Sequence, residues 1–284
     1  MKNIILNNGV AIPPVGFGVF QITDAAECYR VVKDAIAIGY RLIDTAQYYD
    51  NEEAVGKAIK DCHVSREDLF ITTKVWITNA GYEQAKKSML ESMERLQLDY
   101  IDLMLIHQPY NDYYGTYRAM EEFYHAGKLR AIGVSNFFPS ILSDLIHFNA
   151  VVPAINQIEI NPFHHRLADE LTHAKHNVVM QAWAPFAEGQ HDIFNHPVLK
   201  GIGLKYKKTA AQVILRWLVQ RNIIPLSKTV SKVRMQENFN IFDFVLSTDD
   251  MVDIAKLDKQ QTSFLNHHEA EGFEFLMQRV GLKG

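Results

Sequence analysis

The chain has 284 residues, with 48% hydrophobic and 22% charged side chains, which is ordinary globular composition and enough to fill a large core. Lys and Arg total 29 against 33 Asp and Glu, a net charge of −4, so there is no basic footprint for nucleic acid and no cationic face for a membrane. The two cysteines, Cys28 and Cys62, form no CxxC and cannot staple a fold of this size; they read as reduced thiols of a cytoplasmic protein.

In chain order, the first residues offer three consecutive apolar positions, Ile4-Ile5-Leu6, before Asn7-Asn8. A signal peptide needs an apolar stretch of ~7–15, and nothing further on approaches the ~18 of a membrane span. Residues 3–12, around Asn7-Asn8-Gly9, predict a β-hairpin plugging one end of the fold. Eight short apolar strands come next: Pro14–Phe20, Arg41–Thr45, Leu69–Lys74, Ile101–His107, Arg130–Ser135, Ala154–Ile158, Val178–Trp183 and Ile223–Lys228. Between them lie helix signals. Ala25–Ile38 puts Cys28, Val32, Ala35 and Ile36 on one face and stops at Gly39. Asn51-Glu52-Glu53 reads as a cap with first-turn carboxylates, and Thr209 with Gln212 as a capping box. The gap between Trp183 and Lys228 leaves room for an inserted loop. This alternation predicts an α/β fold, a (β/α)₈ TIM barrel in one domain over residues 1–284, although periodicity leaves an open doubly wound sheet as an alternative.

Several motifs are absent: GxGxxG after a strand, GxxxxGK[ST], GxSxG and HExxH. The pairs His164-His165 and His267-His268, and His173 with His176, read as solvated surface histidines. No metal site is expected.

Polar residues gather at strand C-termini, where a barrel keeps its active site. Asp44, Lys74 and His107 end three consecutive strands, and Tyr49 lies five residues beyond Asp44. A phenol of ordinary pKa near ~10 is a poor acid at neutral pH. A lysine ammonium beside it favours the phenolate and a carboxylate keeps that lysine charged, so the group reads as a proton-donating unit.

On Arg41–Glu52, Ile71–Trp76, Ile101–His107 and Gly127–Phe137, the chain resembles the aldo-keto reductase superfamily from about Pro14 to Phe244. The resemblance implies an NADPH-dependent reductase of aldehydes or ketones with Asp44, Tyr49, Lys74 and His107 as its catalytic tetrad, Tyr48 being packing. It also implies that Ser135, Asn136 and Gln157 hold the nicotinamide carboxamide, that Trp183 stacks on the ring and that Phe186 belongs to the loop over the pyrophosphate. Ser135-Asn136 reads as a helix cap as well. Lys228, Thr229 and Arg234 would grip the 2′-phosphate, two cations on a dianion favouring NADPH over NADH, and Glu237 with Asn238 the adenine.

The chain departs from the family pattern around the substrate. Gln108 follows the histidine where relatives often carry Trp, Phe20 stands where Trp is frequent, and Val19 where Thr is frequent; with Trp76 these should line the substrate mouth. A small-molecule carbonyl is the expected partner: small aldehydes, α-dicarbonyls or open-chain keto-sugars, reduced by a monomer without a long C-terminal loop over residues 266–284. Two rival readings stay open: a cofactor-sensing regulatory protein, as in potassium-channel β subunits, and a barrel lyase or isomerase using Lys74 as a Schiff base, which would need that lysine neutral.

Overall fold

The structure is a computed structural model that describes residues 2–266 and 269–281. It opens with a hairpin, β1 (Ile4–Ile5) and β2 (Ala11–Ile12), paired antiparallel. Its turn closes with the Gly9 amide on the Leu6 carbonyl, and Gly9 takes φ +84°, the left-handed conformation glycine adopts without steric cost. Leu6 and Ile12 pack against Leu42, Phe70, Leu103 and Ile224, so the hairpin closes the N-terminal end of a barrel.

The barrel consists of eight parallel strands: β3 (Gly16–Gly18), β4 (Leu42–Asp44), β5 (Phe70–Val75), β6 (Ile101–Ile106), β7 (Leu129–Ser135), β8 (Ile155–Glu159), β9 (Val179–Trp183) and β10 (Ile224–Ser227). β10 pairs with both β9 and β3, which rules out the open doubly wound sheet. The helices are α1 (Ala25–Ile38), α2 (Glu52–Lys60), α3 (Tyr82–Leu96), α4 (Tyr113–His125), α5 (Pro139–Phe148), α6 (Leu167–His176), α7 (Pro197–Tyr206), α8 (Ala210–Gln220), α9 (Lys232–Phe239), α10 (Thr248–Ala255) and α11 (Ala270–Arg279). Among the described residues, none is long and apolar enough to cross a membrane. The gap after Trp183 holds a 3₁₀ segment and the additional helix α7.

Side-chain alternation along each strand separates two cores. Ile43, Ile71, Met104, Ile132, Ile158 and Met180 face the helices. Leu42, Phe70, Leu103, Leu105, Ala131 and Ile155 face inward. Two residues further along each strand, the inward column turns polar: Asp44 after Leu42, His107 after Leu105, Gln157 after Ile155. The inner wall is therefore apolar at the hairpin end and polar at the mouth.

Local signals fared differently. α1 ends at Gly39 with φ +127°, and Thr209 forms the reciprocal capping box with Gln212. Asn51 does not cap α2: its amide donates to the Val19 and Ile22 carbonyls and its oxygen accepts from Thr45. Glu52 is buried, bound to Thr73, Ser92 and Arg95. Ser135 and Asn136 cap nothing either, since α5 starts after Phe138 with no side-chain cap. His165 and His173 are buried rather than solvated. His165 packs on the Trp217 ring, and His173 contacts the Asp169 carbonyl and the Asn156 amide; burial pushes both imidazoles below their usual range. His267 and His268 lie outside the described residues.

Candidate active site

Asp44 and Lys74 point into the barrel from the ends of β4 and β5. Lys74 is fully buried, and its ammonium donates to Asp44 Oδ1 at 2.5 Å, to the Thr45 carbonyl at 3.0 Å and to Tyr49 Oη at 3.3 Å. Burial works to lower its pKa, but Asp44 and Tyr49 together outweigh burial, so the net shift is upward and Lys74 stays charged. A charged ammonium holding three hydrogen bonds has no lone pair to offer a carbonyl, which argues against the Schiff-base reading. Burial likewise pushes the Asp44 carboxyl up, with Lys74 and a hydrogen bond from Gln157 pulling against it.

Tyr49 stands on a single 3₁₀ turn, Gln47–Tyr49, immediately after β4. Burial raises its phenol above the ordinary value, Lys74 opposes that shift and Asp44 adds to it. The expected lowering by the neighbouring ammonium is thus more than offset: the hydroxyl keeps its proton at neutral pH while remaining hydrogen-bonded to a cation. His107, at the end of β6, sets its ring edge-on to Tyr49 at 5.6 Å and to Trp76 at 4.8 Å. Tyr48 stacks on Trp76 at 4.1 Å and has no bond to Lys74, so Tyr49 is the tyrosine of this cluster.

A cavity of about 490 Å³ opens over these groups and runs from Asp44, Tyr49 and His107 past Ser135, Asn136, Gln157, Trp183 and Phe186 to Lys228. Phe20, Trp76 and Gln108 line it as expected. Val19 does not: it alternates with Gly18 and Phe20 and is fully buried among the outer-core residues. Ser135 Oγ donates to the Gln157 carbonyl, Asn136 Nδ2 to the His107 carbonyl, and Trp183 Nε1 to Asn136 Oδ1 at 2.9 Å, so these residues brace one another along the cavity wall.

At the far end Lys228 and Arg234 are exposed and have no ion-pair partner among the described residues, whereas Lys232 between them is paired with Asp34. Thr229 Oγ1 accepts from the Ser231 amide. Arg234, Glu237 and Asn238 fall on one face of α9 by their spacing, Arg234 and Glu237 exposed and Asn238 buried. Among the described residues no three His, Cys, Asp or Glu side chains converge on a metal-sized site.

Sequence reasoning missed four contributors. Gln47 pins the tyrosine turn, accepting from the Trp76 amide and Asn79 and donating to the Ser88 carbonyl and Ser92. Gln181 accepts from Gln157 beneath Asp44. Leu276 and Arg279 of α11 border the cavity; the apolar spacing of Phe273, Leu276, Met277 and Val280 was the signal for that helix. Residues 267–268 and 282–284 of the expected short tail lie outside the described residues.

A model of the aldo/keto reductase family matches residues 14–259. The glyoxal reductase of Bacillus subtilis is 45% identical over 260 residues, 90% of this chain and 92% of its own length. The 9,11-endoperoxide prostaglandin H2 reductase of Trypanosoma cruzi is 41% identical over 261 residues, 91% of this chain and 92% of its own. Among solved structures, a Bombyx mori aldo-keto reductase in complex with NADP superposes with a TM-score of 0.87 at 33% identity, over 93% of this chain and 94% of that one.

Proposed function

The chain belongs to the aldo/keto reductase family, and from that premise we propose that it reduces small aldehydes and α-dicarbonyls with NADPH, Tyr49 protonating the carbonyl oxygen. The observation that carries this reading is the Lys74 ammonium held between Asp44 and the Tyr49 hydroxyl at the floor of the cavity. As electron density moves onto the carbonyl oxygen, Tyr49 gives up its proton and the cation beside it stabilises the phenolate left behind. His107, edge-on to Tyr49, orients the same oxygen.

NADPH, when bound, supplies the hydride. The residues of the cavity fit it. Gln157 has both amide hydrogens committed, to Asp44 and Gln181, and no donor among the described residues reaches its Oε1, which leaves that oxygen to accept from a carboxamide. Ser135 and Asn136 complete that contact, Trp183 offers the face of its indole, and Phe186 borders the diphosphate. The free cations Lys228 and Arg234, with Thr229, take the 2′-phosphate, and Glu237 and Asn238 the adenine.

The substrate class follows from the cavity, because the two relatives are named for substrates as unlike as glyoxal and a prostaglandin endoperoxide. Phe20, Trp76 and Tyr48 make an aromatic wall interrupted by Gln108, whose buried side-chain oxygen has no hydrogen-bond partner among the described residues. An N–H there can donate to the second oxygen of an α-dicarbonyl.

The coenzyme assignment is tested by comparing NADPH and NADH in Lys228→Ala and Arg234→Ala. A charge-assisted hydrogen bond contributes roughly 1.5–3 kcal/mol, so NADPH should bind about tenfold or more weakly in either variant while NADH hardly changes. Equal losses for both coenzymes would make Arg234 a folding residue and overturn the assignment.

A further inference from the structure

Gln181 occupies the inner wall at the level where it turns from apolar to polar. It lies on β9 directly opposite Gln157 of β8, and both are buried. The inward positions one step nearer the hairpin are apolar, Leu42, Leu105 and Ile155, and Gln181 stands in the first polar layer above them. Gln181 presents its side-chain oxygen to Gln157 Nε2 at 2.8 Å, while its own Nε2 is buried with no acceptor among the described residues. An unmade buried donor is costly, so a packing role alone does not account for an amide at this position.

The other hydrogen of Gln157 Nε2 goes to Asp44 Oδ2 at 2.8 Å, and Asp44 Oδ1 receives Lys74. A continuous chain therefore runs from Gln181 through Gln157, Asp44 and Lys74 to the Tyr49 hydroxyl. Gln181 does not itself line the cavity; whatever it does there passes through Gln157.

We propose that Gln181 is a positioning residue: its carbonyl fixes the Gln157 amide so that the nitrogen faces Asp44 and the oxygen faces the cavity, where it recognises the amide hydrogens of the nicotinamide. The inference rests on the coenzyme reading above. Without an acceptor at position 181, the second Gln157 N–H loses its partner and the side chain turns to find one, which takes its oxygen off the cavity and weakens its hold on Asp44. One glutamine thus links recognition of the carboxamide to the charge balance beneath the tyrosine.

The test uses NADPH and its 3-acetylpyridine analogue, in which a methyl group replaces the carboxamide NH₂. The full-length protein should prefer NADPH by about tenfold, roughly the worth of one neutral hydrogen bond. Gln181→Leu should abolish the preference and move the alkaline limb of kcat. Gln181→Glu, which keeps an acceptor but brings a negative charge toward Asp44, should keep the preference and shift that limb to higher pH. If Gln181→Leu keeps both preference and pH limb and loses only thermal stability, Gln181 is structural and the inference falls. Should Gln157→Leu lose the preference while Gln181→Leu retains it, the carboxamide reading stands and the role of Gln181 does not. Preference retained in both variants would remove Gln157 from the coenzyme site and the inference with it.

Discussion

At the scale of single residues, the site is governed by how burial and charge act on Tyr49 and Lys74. Burial favours the neutral phenol, and the ammonium next to it limits that shift without reversing it. Since reduction consumes the protonated form, kcat should stay level from neutral pH to about pH 10 and fall above it, as Tyr49 deprotonates beyond its ordinary range. A pH profile that already falls between pH 7 and 8 would contradict this. The same groups act on stability. Both have folded values raised above unfolded ones, so the stability they contribute is present below about pH 10 and is lost as pH rises through the folded values. Asp44, Lys74 and His107 were legible in the sequence because each is a polar residue ending an apolar strand. Gln47 and Gln181 were not. Their partners are Ser88, Trp76 and Gln157, distant in sequence, and an isolated glutamine carries no local signature of the bond it makes across a barrel.

At the scale of elements, β9 delivers Trp183 to the cavity wall with its indole nitrogen tied to Asn136 and its ring 5.5 Å from Phe264. If the indole stacks on the nicotinamide, NADPH should quench protein fluorescence, and Trp183→Phe should lose much of the quenching with a modest fall in affinity. Trp217, buried on α8 against His165 and Arg221, serves as the control, whereas Trp76 borders the same cavity and must be substituted separately. Undiminished quenching in folded Trp183→Phe would remove Trp183 from the coenzyme site. Elements also explain where sequence signals misled. Asn51 and Ser135 are cap-type residues near helix starts, but each is buried at a strand-to-helix crossing, and there the Val19 and Gln157 carbonyls of neighbouring segments, each with a second lone pair to offer, take the side chain. Thr209, at an exposed helix start with no such competitor, caps as its sequence says.

At the scale of the whole molecule, the barrel was readable because eight strands with apolar centres recur between amphipathic helices, and the expected strand ends fall within two residues of the observed ones. The count of eight strands favoured closure, but periodicity alone left the open sheet as an alternative, since the β10 to β3 pairing joins residues about as far apart in the chain as any in the sheet. Closure is also what makes the site: it brings the ends of β4, β5, β6, β8 and β9 around one cavity, so that Asp44, His107, Gln157 and Trp183 face a common space with Lys74 buried behind Asp44 and Tyr49. The most direct test of the account is the rate of NADPH consumption with a small aldehyde such as glyoxal in Tyr49→Phe, measured beside NADPH affinity. Positioned acid catalysis contributes ~10²–10⁴ in rate, so turnover should fall by about that factor while NADPH still binds. Full turnover in Tyr49→Phe, or loss confined to Tyr48→Phe, would contradict it.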